Sequence, residues 1–264
     1  MKHKGIISLI VFALLMPSFV FAKDNTEVLN DEDFVVVAET TKYYKTVTTI
    51  DMDQFTNIGE MGSALSNGIS SVTYEVTEEE YNNAREEDRI VRSNPTVIET
   101  TYKRMTSSIS ANGSYYRYKN VLNWKLIPSV RSYDIIAIGF LGTVKPKTYP
   151  SFVEEYCRPN GYCSTITLDT VQIFNYGAGT SFLVPSGDLS SLKQTFWFDV
   201  EKNTTNTVTI QKAYGDYAHA TSTVGMMDAT NYTVSQSAGI VLGSSISSSY
   251  DSIPVADASW YGSW

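Results

Sequence analysis

The chain has 264 residues, with 28 acidic against 20 basic side chains and a formal net charge of −8. Such acidity excludes a nucleic-acid partner held by phosphate neutralisation. Two histidines and two cysteines leave too few ligands for a His-based metal centre, and no residue pattern calls for a cofactor.

The first residues read as a targeting segment. Lys2, His3 and Lys4 form a basic start, Ile6 to Met16 an apolar core, and Pro17 interrupts it. Val20-Phe21-Ala22 suits signal peptidase, so residues 1–22 are expected to be a signal peptide cleaved after Ala22. The expected localisation is therefore secreted. The alternative is an uncleaved anchor, since Gly5 to Ala22 is just long enough to span a bilayer.

The remaining charge is segregated. Residues 23–99 carry 6 basic and 17 acidic side chains, residues 100–150 carry 8 and 1, and residues 151–264 carry 4 and 10. A basic centre in an acidic chain can grip a polyanion such as a wall polymer or acidic glycan. Pairing with the acidic N-terminal part needs no ligand and is the expectation preferred here.

Residues 23–95 read as an acidic N-terminal segment with strands and one helix. Phe34 to Ala38, Lys42 to Ile50 and Ser71 to Val76 carry strand patterns, and the glycines of Asn57 to Ser70 mark a loop. Asp51-Met52-Asp53 begins like a calcium loop but lacks the later Gly and Glu. Thr77-Glu78-Glu79-Glu80 is a capping box that opens a surface helix over about Glu78 to Val91.

Residues 96–264 read as the sandwich domain. Asn112-Gly113 predicts a two-residue type I′ turn between arms Thr96 to Ser110 and Tyr115 to Ile127. That register sets Ile109 opposite Tyr116 and Met105 opposite Asn120. Tyr116, Tyr118, Leu122, Trp124 and Leu126 share one parity, broken by Asn120. Arg117, Lys119 and Lys125 take the other face, which is expected to be solvated. With Tyr115 at the turn, they form the candidate binding surface. A plain wet strand face is the simpler reading of the same pattern.

Ile135 to Leu141 is a β-branched, apolar run expected to be a strand buried on both faces. Cys157 and Cys163 flank Arg-Pro-Asn-Gly-Tyr, which predicts a disulfide across a hairpin end. The arms are Phe152 to Tyr156 and Tyr162 to Tyr176. In Phe196-Trp197-Phe198 one ring must face away from the other two. The Ser/Thr-rich tail Thr221 to Ser249 reads as twisted strands. The fold class is all-β, an antiparallel β-sandwich with one short surface helix.

Catalysis has little to work with, and no catalytic residue is assigned. His219 is expected to be a strand histidine bonded to a neighbour, because no nucleophile motif accompanies it. Paired carboxylates are numerous, but no pair stands out. Eighteen tyrosines offer flat faces with polar tips for sugars or protein partners.

The stretches Glu99-Thr100-Thr101-Tyr102-Lys103, Asn123-Trp124-Lys125, Ser132-Tyr133-Asp134-Ile135-Ile136-Ala137-Ile138-Gly139 and Gly215-Asp216-Tyr217-Ala218-His219-Ala220 resemble secreted, uncharacterised β-rich proteins of Gram-positive bacteria, from about residue 96 onward. The resemblance implies a bacterial exported protein and carries no activity with it. The expected function is a secreted, non-enzymatic binding or surface-interaction protein, with a cell-surface polymer, glycan or protein as partner. The alternatives are a β pore-forming toxin built from Met105 to Tyr118 and Thr221 to Ser249, the one reading that involves a membrane, and a secreted carboxylate-dependent hydrolase.

Overall fold

The computed structural model describes residues 33–50, 69–89, 97–168, 170–237 and 239–264. The expected leader 1–22, Asp51-Met52-Asp53 and most of the glycine loop lie outside them. Among the described residues sixteen strands form three antiparallel sheets. In chain order they are β1 (Val35–Ile50), β2 (Ile69–Val76), β3 (Val97–Ala111), β4 (Tyr116–Leu126), β5 (Tyr133–Phe140), β6 (Val144–Pro146), β7 (Ser151–Cys157) and β8 (Cys163–Leu168). Then come β9 (Gln172–Phe174), β10 (Gly177–Leu183), β11 (Ser191–Lys202), β12 (Ile210–Ala220), β13 (Tyr232–Ser235), β14 (Gly239–Leu242), β15 (Tyr250–Ser252) and β16 (Ala256–Tyr261).

The larger sheet runs β2-β1-β3-β4-β11-β7-β8, with β6 also on β11. The smaller runs β15-β12-β5-β10-β9, with β16 also on β12, and β13-β14 is a separate hairpin. The two sheets close on a core that includes Met105, Ile109, Tyr118, Leu122, Phe196 and Phe198 from one and Ile136, Ile138, Phe140, Phe182 and Tyr217 from the other. The all-β antiparallel sandwich with one short helix is what the chain forms.

The buried run is β5, and its second covering layer is the β13-β14 hairpin. Ile136, Ile138 and Phe140 point into the inter-sheet core. Ile135 and Ala137 point the other way, into a second core with Tyr232, Val234 and Ile240. The hairpin sits close because the strands beneath it are stripped of side chains. Gly139 pairs with Gly177, and Ala137 with Gly179. A Cβ on Gly139 would come within 2.6 Å of the Ser235 carbonyl, and one on Gly177 would strike the Val234 side chain. The Ser/Thr-rich tail thus folds into a cap of two four-residue strands with 3-10 turns, shorter than the strands its composition suggested.

The central hairpin forms, but two residues out of the expected register. Ile109 faces Tyr118, Met105 faces Leu122 and Ala111 faces Tyr116. A type I′ turn needs positive φ at both centres. Here only Gly113 has it, at 88°. Asn112 instead uses its side chain, its Oδ1 accepting from the amides of Ser114 and Tyr115 at 3.3 and 3.0 Å. That local bond holds a longer loop. Asn120, which spoils the apolar row, reaches across the sandwich. Its Nδ2 donates to the carbonyls of Ala137 and Asp216 at 3.3 and 3.2 Å.

β1 is one continuous strand of 16 residues, not two. It pairs with β3 along its length and with β2 from Tyr43 onward, so the acidic segment's strands belong to the sandwich's own sheet. The helix α1 covers Glu78–Asn83 and ends earlier than its pattern suggested, with a 3-10 turn at Glu86–Arg89 after it. Thr77 caps it, accepting from the Glu80 amide. Among its apolar positions, Tyr81 and then Ala84 just beyond it are buried, enough to dock one turn and a half on Tyr102 and Leu126. Among the described residues no helix is long and apolar enough to cross a membrane.

Cys157 and Cys163 are bonded, as expected, and are also the terminal register pair of β7 and β8. The second arm is shorter than expected. After Leu168 the chain leaves the larger sheet, and Gln172 to Phe174 pair with β10 in the smaller one.

Candidate functional site

Two places carry chemistry: the outer face of the larger sheet and a polar cluster between the sheets. The outer face follows from alternation. Ile109, Tyr118, Phe196 and Phe198 point inward, so their chain neighbours point out. Register then aligns Glu39, Ser108, Lys119, Trp197 and Ser151 in one row across five strands. The next row is Thr41, Thr106, Val121, Thr195 and Val153. At roughly 4.8 Å per strand each row spans about 19 Å. Five of these ten side chains carry hydroxyls, and Thr41 and Thr106 bond each other at 2.9 Å. Lys119 and Trp197 sit half-buried at the centre, side by side.

The four residues of the candidate binding surface do not form one patch. Arg117 is 4% exposed, against the solvated position its parity suggested. Its guanidinium grips Asp199 through Nε at 2.7 Å and Nη2 at 3.3 Å and lies over the Phe34 ring. Tyr115 lies nearby under the Lys147 ammonium. Lys119 joins Trp197 at mid-face. Lys125 is eight residues from Arg117, about 26 Å along the strand. Its ammonium donates to the Asn82 carbonyl at 2.6 Å, at the end of α1, and sits over Tyr81.

Among the described residues, three ion pairs of the basic centre are made with acids outside the N-terminal part. Lys103 meets Asp251, Arg117 meets Asp199 and Lys145 meets Glu201. These acids come from the C-terminal part. The acidic N-terminal part pairs with its own bases, as in Lys42–Glu75, Lys45–Glu80 and Arg89–Glu99. Arg117–Asp199 and Lys145–Glu201 are register partners on adjacent strands, whereas Lys103–Asp251 joins the two sheets. Tyrosine content is equally misleading, since nine of the eighteen are buried and several anchor the core by their hydroxyls.

The polar cluster lies at one end of the sandwich. Lys103 is fully buried, its ammonium 3.1 Å from Asp251 and over the rings of Trp124 and Tyr217. Asp251 also accepts from the hydroxyls of Thr46, at 2.9 Å, and Thr73. Burial works against its charge, but Lys103 and the two threonines outweigh that and hold the carboxyl below its usual range. Asp251 thereby ties β1, β2 and β3 to the smaller sheet.

Beside it, Asp134 of β5 faces His219 of β12. Nδ1 of the imidazole is 3.0 Å from each carboxylate oxygen. The Tyr217 hydroxyl and the Ala220 amide also donate to Asp134. Burial, then the Asp134 charge, push the Tyr217 hydroxyl far above its ordinary value, so it stays protonated. Glu154 accepts from Gln194 at 2.9 Å, and burial pushes its carboxyl up to about 7. Trp124 closes the group, edge-on to His219 at 5.4 Å. His219 therefore bonds a strand neighbour, as its context predicts. Its partner was legible only as an oddity: Asp134 is the one acid among residues 100–150, and it stands at the head of the most apolar run.

His219 also lines a pocket of about 80 Å³ with Thr46, Glu99, Thr101, Ser129 and Thr221. The Glu99 carboxylate there is held by the Ser129 amide and hydroxyl and by Arg89. Among the described residues no group of three or more His, Cys, Asp or Glu is placed to hold a metal ion. No family model, curated protein or solved structure matches this chain.

Proposed function

We propose that this is an exported, bacterial, non-enzymatic binding protein that engages an extended surface polymer or glycan on the open face of the larger sheet. The observation that carries the reading is the pairing of Lys119 with Trp197 in mid-row, with Ser108 and Ser151 on either side and the threonines of the next row beside them. An indole ring offers a stacking surface for a sugar ring, and the hydroxyls and ammonium offer bonds to its rim. The β13-β14 cap packs on the smaller sheet, on the far side from this face. The disulfide suits an oxidising compartment. The test is retention of the mature chain on purified cell-wall polysaccharide. Trp197→Ala and Lys119→Ala are expected to weaken it at least tenfold while the fold is kept. Equal retention by the variants, or none by the parent chain, overturns the reading.

A second reading, a β pore-former, is favoured by the length of β1 and β3. They have 16 and 15 residues, where about 10 suffice to cross a bilayer as a tilted strand. Dye release from liposomes tests it, and intact vesicles across lipid compositions and pH would remove it. The carboxylate-pair hydrolase has less support. Asp134 and Glu154 influence each other, but both are sealed between the sheets.

A further inference from the structure

We propose that the bound polymer is a β-(1,4)-linked glycan of 2-acetamido sugars, the backbone chemistry of a bacterial wall, lying across β4, β11 and β7. The proposal rests on the polymer-binding reading and names the substrate class of that same face.

Strand register supplies the spacing. Val121 on β4 and Val153 on β7 flank Thr195 on β11, two strand spacings or roughly 9.6 Å apart. Leu122, Phe152 and Phe196 point into the core, so these three neighbours share the outer face. Both valines are half-buried, and Thr195 between them is buried. Two residues further along β11, about 7 Å away, Trp197 stands between Lys119 and Ser151 in the neighbouring row. The result is two apolar spots on alternate strands, with an indole offset midway between them.

A β-(1,4)-linked glycan has the matching period. Each ring advances by about one strand spacing and is turned over relative to the last. Every second ring therefore presents its second carbon on the same edge of the chain. With one ring stacked on the Trp197 indole, the rings before and after it lie over β4 and β7. Their acetamido groups point to the same side, toward Val121 and Val153, where acetyl methyls cover valine methyls and remove apolar surface from water. The middle ring turns its acetamido group the other way. In wall glycan this alternate ring can be the one that bears the peptide, on the edge facing away from the valines.

Charge points to the same class. The ten side chains of the two rows include one cation, Lys119, and one anion, Glu39. Such a face favours an uncharged backbone over a polyanion. Sheet twist of roughly 20–25° per strand turns the outer strands away from a straight chain, so the match covers three rings.

The experiment titrates the mature chain with chito-, cello- and malto-oligosaccharides of two to six rings by calorimetry. The chito series is expected to bind at least tenfold more tightly than the cello series, and the curled malto series not at all. The trimer is the shortest chain to reach both valines, so the step from dimer to trimer should tighten binding at least fivefold. The step from tetramer to hexamer should add less than threefold. Val121→Thr and Val153→Thr each remove one methyl from the face and should each weaken trimer binding about fourfold, with the thermal transition and cello binding unchanged. Peptide-free wall glycan is expected to compete with the chito trimer. Equal affinity for the chito and cello series, no gain at the trimer, valine variants that bind as the parent does, or wall glycan that fails to compete overturns the proposal. Retention on wall polysaccharide that Trp197→Ala weakens would in those cases leave the polymer reading standing, and its absence overturns both.

Discussion

Raising the pH from 5 to 8 should destabilise this protein by about 5 kcal/mol, through two buried carboxyls. Burial pushes Glu154 up from 4.5 to about 7, against the bond from Gln194. Asp216, under the β13-β14 cap, is pushed by burial from 3.8 to about 7, although the amides of Ile240 and Tyr217 favour its charge. Between pH 4 and 7 the folded chain holds both protons and the unfolded chain has released them. Stability therefore falls as pH rises, and the loss levels off above pH 7. From pH 5 to 8 each group contributes roughly 2 units of differential binding, or about 2.5 kcal/mol. Asp251 is held low, so its contribution is already present at pH 5 and does not change. At 2–4 °C per kcal/mol for a chain of this size, Tm should drop by roughly 10–20 °C. The assay is thermal unfolding by circular dichroism in buffers of equal ionic strength. Glu154→Gln keeps a partner for Gln194 and should remove about half of the pH dependence. A Tm that is flat or rising from pH 5 to 8, or a Glu154→Gln slope equal to the parent's, would refute the reasoning.

Removing one partner of the Lys103–Asp251 pair leaves a fully buried charge alone. Lys103→Met is expected to cost about 3–5 kcal/mol in urea unfolding, and a loss under 1 kcal/mol would show that the threonines alone satisfy Asp251. Replacing Cys157 and Cys163 together by Ser opens a loop with a sequence separation of 6. The expected loss is only about 2 kcal/mol, visible as a modest fall in urea midpoint with an intact fold. Gly177→Ala drives a Cβ into Val234, so it should loosen the β13-β14 cap first. Hydrogen exchange should accelerate in Tyr232–Leu242 while β3 and β4 stay protected, and uniform protection would count against the tight fit.

The β13-β14 cap also shows what was readable beforehand and what was not. Period-two alternation and an unbroken apolar run are both local properties, so the first exposed the central hairpin and the second the doubly buried β5 without reference to any partner. The cysteine spacing around Pro159, Asn160 and Gly161 revealed the disulfide in the same way, because the turn brings the two sulfurs together by itself. The hairpin's register was not readable, since the Asn112 side chain bonds within a loop longer than the two-residue turn that Asn-Gly suggests.

The site depended on contacts that no local pattern encodes. Asp134 and His219 lie 85 positions apart, Lys103 and Asp251 148, and neither pair has a spacing that announces it. Arg117 has the parity of a wet face but is buried, because Asp199 and Phe34 close over it. Alternation tells which way a side chain points. Whether water or another strand waits there is settled only when distant segments pack, and so burial, pairing and the pocket belong to the tertiary structure.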